Sequence, residues 1–214
     1  TLTAIGLTAG SYVFTVTDIT TGCSAINNLV ITEPSALIVV AGPSQAICQL
    51  DTVGVTLGGS PTASGGIPPY SYSWSPATGL DSANVPNPVA LPSANTIYSV
   101  YVSDNNGCNL SVGTEVTVLS NPVVAATPNG SNICIGSSVN ITATGASTYL
   151  WNPGGLTGSG QTFSPISTTT YTITGTTNGC QGSTTFTITV NSLPTVSVSS
   201  QTNVSCNGGN DGSS

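Results

Sequence analysis

The chain has 214 residues with no Lys, Arg or His; its seven carboxylates give a net charge of −7 at pH 7, and charged residues make up only 3% of it. Without a basic side chain it cannot neutralise phosphates or hold to an anionic surface by charge, which excludes nucleic acid as a partner and argues against direct membrane association. A Ser-His-Asp triad, lysine chemistry and lysine isopeptide cross-links are equally out of reach, so no enzyme and no catalytic residue is expected.

The six cysteines include no CxxC pair, and no His accompanies them. They suit disulfides in an oxidising, extracellular setting rather than a metal site, and no cofactor is expected. No run approaches the roughly 20 apolar residues of a membrane span, and no signal peptide opens the chain, which therefore reads as a mature protein or a fragment. Thr, Val and Ile are frequent and Gly and Pro punctuate regularly, so disorder is a poor reading.

In chain order the first element is "SYVFTVTDITTGCSAINNLVITEP" (11–34), an alternating strand, a turn ending in Gly-Cys, a second alternating strand and a proline. "LIVVAGPSQAICQLDTVGVTL" (37–57) follows: a strand, a polar break, Cys48, a Gly-containing turn and another strand. A Gly-rich stretch over 58–70 reads as a long loop, not a phosphate cradle, because no Lys or helix follows it. "YSYSWSPATGL" (70–80) places Trp74 on a strand, and "IYSVYVSDNNGCNLSVGTEVTVLSNP" (97–122) repeats the opening hairpin around Cys108. The cycle then recurs. "VVAATPNGSNICIGSSVNITA" (123–143) carries Cys134, "TYLWNPGGL" (148–156) carries Trp151, and "TYTITGTTNGCQGSTTFTITVNSLP" (170–194) carries Cys180. "TVSVSSQTNVSCNGGNDGSS" (195–214) begins the cycle once more, with Cys206.

These repeats divide the chain into the tail of one module (1–34), two whole modules (35–121 and 122–193) and the head of a further one (194–214), a window on a longer tandem array. Pro34, Pro122 and Pro194 mark the joints, where a missing N–H costs nothing because no ladder continues. The strands have period two: Phe186, Ile188 and Val190 share one face and Thr185, Thr187 and Thr189 the other. About seven short strands per module predict an all-β fold of tandem immunoglobulin-like (PKD-like) β-sandwiches. "NNGC" and "TNGC" predict tight hairpins with Asn-Gly in the left-handed region. Trp74, Trp151, Tyr12, Tyr98 and Tyr171 are expected in the cores, the alternative for the tryptophans being an exposed platform for sugars. "SDNNG" (103–107) and "NGGNDG" (207–212) lack the ligand spacing of a calcium loop and read as Asx turns. Asn109, Asn129, Asn140 and Asn203 open N-x-[ST] sequons. Exposed faces rich in Thr and Ser and nearly free of charge lack the usual protection of open sheet edges, so glycans, neighbouring modules or a fibre should cover them.

Two disulfide schemes remain open. Within modules, Cys48 pairs with Cys108 and Cys134 with Cys180. In an immunoglobulin topology, however, these positions fall at opposite ends of a module, too far apart for a bond, whereas Cys48 and Cys180 can form an inter-module staple. Cys23 and Cys206 would then bond to modules outside the window, and Cys108 and Cys134 would reach back and forward in the same way. Either role is structural, since no basic group is available to activate a thiol.

"GLTAGSYVFTVTDITTGCSAINNLVITEPSAL" resembles the second half of the SprB repeat of gliding-motility adhesins of Bacteroidota, and "TVSVSSQTNVSCNGGNDGSS" resembles its first half. The middle modules resemble the immunoglobulin/PKD-like domains that accompany such repeats. The resemblance implies a very large filamentous protein of the cell surface, exported by type IX secretion. It also implies O-glycosylation at Asp-Ser/Thr-small sites, matched here by Thr52 and Ser82. The expected function is a passive structural stalk in an extracellular adhesin filament. Its partners would be neighbouring modules of the same chain, surface polysaccharide or glycans at a distal tip, and cell-surface attachment and secretion machinery. A carbohydrate-binding module, using the 58–70 loop and exposed aromatics, and a self-assembling extracellular fibre subunit are the alternatives.

Overall fold

The computed structural model describes residues 3–213, which form strands and turns and, among those residues, no helix. The chain divides into two compact units between Leu119 and Ser120.

The first unit opens with a hairpin, β1 (Gly10–Thr17) and β2 (Ser24–Ile31), paired antiparallel with Tyr12 opposite Leu29. Eight strands follow: β3 (Ile38–Val39), β4 (Gln45–Cys48), β5 (Val55–Thr56), β6 (Ala63–Ser64), β7 (Ser71–Ser75), β8 (Val89–Ala90), β9 (Thr96–Ser103) and β10 (Asn109–Leu119). β4, β10, β9 and β7 make one sheet in that order, and the short pairs β3–β6 and β5–β8 form the opposite layer. Alternation along β9 sends Tyr98, Val100 and Val102 inward, where they meet Trp74 of β7, Val39 of β3 and Ala90 of β8. Stacking these two layers is what removes the apolar faces from water.

The second unit has the same plan, with β11 (Ala125–Thr127), β12 (Ser131–Cys134), β13 (Val139–Thr144), β14 (Thr148–Asn152), β15 (Leu156–Thr157), β16 (Gly160–Phe163), β17 (Thr169–Thr177) and β18 (Cys180–Asn191). One sheet runs β11-β13-β16 and the other β12-β18-β17-β14-β15. Its core is aromatic: Trp151 lies 5.6 Å from Phe163 and 5.9 Å from Phe186, and Phe163 lies 4.4 Å from Tyr171, ring centre to ring centre. Both units are therefore all-β, immunoglobulin-like sandwiches.

Each sandwich pairs its early strand parallel to its last one, β4 with β10 (Gln45 opposite Val116) and β12 with β18 (Ser131 opposite Ile188). Among the described residues every other strand pair is antiparallel. The chain thus passes into each sandwich beside one end of the last strand and leaves from the opposite end.

Three expectations need correction. Tyr12 is not in a core: it is half-buried on a two-stranded hairpin, where its hydroxyl donates to the Thr8 carbonyl at 2.7 Å while Phe14 and Val16 beside it are exposed. The hairpin carries the apolar face of a sandwich, but its own sheet has only two strands to cover it. The Gly-rich 58–70 stretch is no free loop, since Ala63–Ser64 pairs with β3 and Thr62 is buried. "TVSVS" (195–199) forms no strand, because no described strand lies alongside to complete a ladder, and Val196 and Val198 are exposed.

Candidate functional site: the cysteine positions

The cysteines occupy two recurring positions. The first is the end of the early strand. Cys48 and Cys134 are the last residues of β4 and β12, opposite Leu119 and Asn191. The backbone beyond each is held alike: Gln49 N–H donates to the Leu119 carbonyl at 2.8 Å, and Ile135 N–H to that of Asn191 at 3.0 Å. A β-turn then closes on each cysteine, with Asp51 N–H donating to Cys48 and Ser137 N–H to Cys134, both at 3.0 Å. Gly209 N–H donates in the same manner to Cys206 at 2.9 Å. In unit one the Asp51 carboxylate also accepts the Cys48 N–H at 2.7 Å.

The second position is the turn into the last strand. Cys23 and Cys108 immediately precede β2 and β10, and Cys180 is the first residue of β18. In the hairpins around Cys23 and Cys108 an aspartate folds the turn. Asp18 and Asp104 each donate a backbone N–H to the following cysteine's carbonyl at 2.9 Å. Their carboxylates accept N–H groups of the turn, Asp18 those of Thr20 and Thr21, Asp104 those of Asn106 and Cys108. "NNGC" is thus a five-residue loop over 104–108 rather than the tight turn its Asn-Gly suggests, because the aspartate spans it. "TNGC" does form the two-residue turn, with Asn178 and Gly179 at φ 52° and 84°.

Strand register rules out the intra-module scheme. Cys48 sits beside Leu119, at one end of β10, while Cys108 precedes Asn109, at the other. Eleven residues of extended chain separate those ends by about 33 Å, against the roughly 7 Å between Cα atoms that a disulfide tolerates. The same holds in unit two, where Cys134 faces Asn191 and Cys180 begins the twelve-residue β18. In keeping with this, Cys108 and Cys134 carry exposed free thiols, as do Cys23 and Cys206. Cys48 and Cys180 are disulfide cysteines.

Asp104 has a further role that sequence reasoning missed. It is buried, and its other carboxylate oxygen accepts the Ile67 N–H at 2.9 Å, tying the 58–70 segment to the hairpin. The Ile67 N–H and then those of Cys108, Asn106 and Gly107 hold its carboxyl below the ordinary value of 3.8, against the opposing effect of burial. Asn87 fastens the same segment from another side, its amide donating to the carbonyls of Leu57 and Gly59 and to Thr62 Oγ1. The Asn-Gly signal at 105–107 marked a turn but not a contact 37 residues away.

The tryptophans are not platforms for sugars. Trp74 and Trp151 are 2% and 0% exposed, and their indole N–H groups donate to the carbonyls of Val85 and Gly158 at 3.0 and 2.8 Å. Tyr98 and Tyr171 are likewise in the cores. Thr52 is exposed and Ser82 half-buried, both in turn regions. Among the described residues no group of three or more His, Cys, Asp or Glu is placed to hold a metal ion, and no helix is long and apolar enough to cross a membrane.

No family model matches the chain, and no curated protein matches it. Solved structures do align with it. They include Sidekick-1 immunoglobulin domains 1–4 (13% identity, TM-score 0.40, 86% of this chain and 58% of that one). The N-terminal four Ig domains of Dscam1 isoform 8.4 align at 14% identity and TM-score 0.34, over 85% of this chain and 55% of that one. An I-band fragment of titin aligns at 13% identity and TM-score 0.39, over 86% and 75%. The chain thus spans little more than half the length of the Sidekick and Dscam fragments.

Proposed function

We propose that this chain is a tension-bearing segment of an extracellular stalk, without catalysis of its own, in which Cys48 and Cys180 staple successive modules. The observation that carries the reading is the parallel pairing of β4 with β10 and of β12 with β18. A closed staple passes the load directly from Cys48 to Cys180; once it is reduced, a pull along the chain draws the two strands of such a pair in opposite directions along their length. All of the pair's hydrogen bonds then share the load, instead of opening one after another.

The resemblance of residues 1–34 and 195–214 to SprB repeats extends the proposal to an adhesin filament of the cell surface. Such a filament would be exported by type IX secretion, would hold a distal glycan- or polysaccharide-binding tip, and would be glycosylated at sites such as Thr52 and Ser82. The nearly uncharged Thr/Ser surface and the oxidising chemistry of the cysteines support an extracellular location.

Single-molecule pulling on the chain tests the reading. In the presence of a thiol reductant two abrupt ruptures are expected, one per sandwich; smooth yielding without discrete events would refute it. Without reductant the Cys48–Cys180 staple should withhold about 130 residues from extension, roughly 450 Å of contour length. An unchanged contour length would refute the staple.

A further inference from the structure

We infer that Cys134 and Cys108 are complementary halves of an intermolecular link, the strand-end thiol of one copy bonding to the turn thiol of a second. The inference rests on the proposed Cys48–Cys180 staple, which joins one strand-end cysteine to one turn cysteine. Cys134 repeats the setting of Cys48: the last residue of the early strand, the same parallel partner strand, the same bridging N–H beyond it and the same turn closing on its carbonyl. Cys108 repeats the chain position of Cys180, at the turn into the last strand. Each sandwich therefore presents one cysteine in the disulfide state and one free thiol of the opposite kind, and both free thiols are exposed. Cys206 and Cys23 are of the same two kinds, but Cys23 borders the two-stranded β1–β2 sheet and Cys206 lies outside the named strands, so Cys134 and Cys108 are the pair set on sandwich sheets.

The chemistry balances with a small-molecule disulfide as oxidant. The Cys134 thiolate attacks one sulfur of oxidised glutathione, forming a mixed disulfide and releasing one glutathione thiolate. The Cys108 thiolate of a second copy then attacks the Cys134 sulfur, forming the protein–protein bond and releasing the second glutathione. The two protons given up by the protein thiols end on the two glutathione molecules. Because the linked dimer keeps one unused thiol of each kind, Cys108 on one copy and Cys134 on the other, the reaction can continue from both ends.

The test uses the full chain with Cys23→Ser and Cys206→Ser, so that only Cys108 and Cys134 remain as free thiols. Incubation with oxidised glutathione should give a ladder of dimers and higher multimers on a non-reducing gel. Peptide mapping with chymotrypsin (trypsin finds no Lys or Arg to cut) should recover the Cys108–Cys134 cross-link. Adding Cys108→Ser to one preparation and Cys134→Ser to another should leave each largely monomeric, while their equimolar mixture should stop at the dimer. Persistent monomer under oxidant, or predominance of symmetric Cys108–Cys108 or Cys134–Cys134 links, would overturn the inference. Pulling on single chains is indifferent to this result, so failure here leaves the stalk reading to be judged on its own test.

Discussion

Replacing Trp151 by Ala should cripple the second sandwich and spare the first. The indole is fully buried and contacts Phe163 and Phe186, and its N–H donates to the Gly158 carbonyl. Removing about 200 Å² of buried aromatic surface at about 25 cal/mol per Å² costs at most about 5 kcal/mol. Measured losses for such truncations run about 3–5 kcal/mol, so about 4 kcal/mol is the working figure. That is a large part of the on-the-order-of 10 kcal/mol that holds a unit of this size together. Hydrogen–deuterium exchange followed by mass spectrometry reads the two units separately. Amides of β17 and β18 that exchange through unfolding should speed up about a thousandfold, the equivalent of 4 kcal/mol, while those of β9 and β10 keep their rates. The two cores are separate clusters, which is the reason to expect that contrast. Acceleration of less than about tenfold in β17 and β18 would refute the packing argument.

Thr114 Oγ1 is buried without a hydrogen-bond partner, and the residue opposite the equivalent tyrosine in unit two is Phe186, so Thr114→Val should stabilise the first sandwich by about 1 kcal/mol in a urea titration. Gly145 has φ +94°, and a Cβ there would lie 1.9 Å from the Val123 carbonyl oxygen. Gly145→Ala should therefore cost roughly 2 kcal/mol or more, whereas Gly136→Ala, at φ +86° in open space, should cost only about 1 kcal/mol. Asp104 titrates below its ordinary 3.8 in the folded state, so the unfolded chain binds its proton first as the pH falls. Its contribution is present above that value and lost as pH drops through the lower folded pKa. The amide resonances of Ile67, Asn106 and Cys108 should shift together in that acid range and stay flat in Asp104→Asn.

The sandwich cores were legible because alternation is a local signal. Tyr98, Val100 and Val102 stand two apart and all turn inward, and the same spacing places Tyr171 and Ile173. The separation of the two cysteine positions within a module was legible too, from the immunoglobulin topology that the repeats predict. What keeps Cys48 from Cys108 is the length of β10, read from the parallel register of β4. Contacts made across long sequence separations were not legible. Nothing local announces that Asp104 holds Ile67, or that Asn87 pins Leu57, Gly59 and Thr62. The Gly-Gly-Ser run therefore read as loop although a strand passes through it. Tyr12 failed for the opposite reason: its local pattern is that of a core residue, and burial needs a second layer that a hairpin alone does not provide.

The parallel pairing also fixes when a sandwich can close. Gln45 meets Val116 about seventy residues downstream, so the early strand stays without its neighbour until nearly the whole unit has been made and released. When β10 and β18 do emerge, each pairs first with the strand next to it in sequence, β9 or β17, and the waiting early strand docks onto that hairpin afterwards. The rate of closure is then set by bringing distant segments together, and the thiol of Cys48 stays open to exchange until its strand has docked.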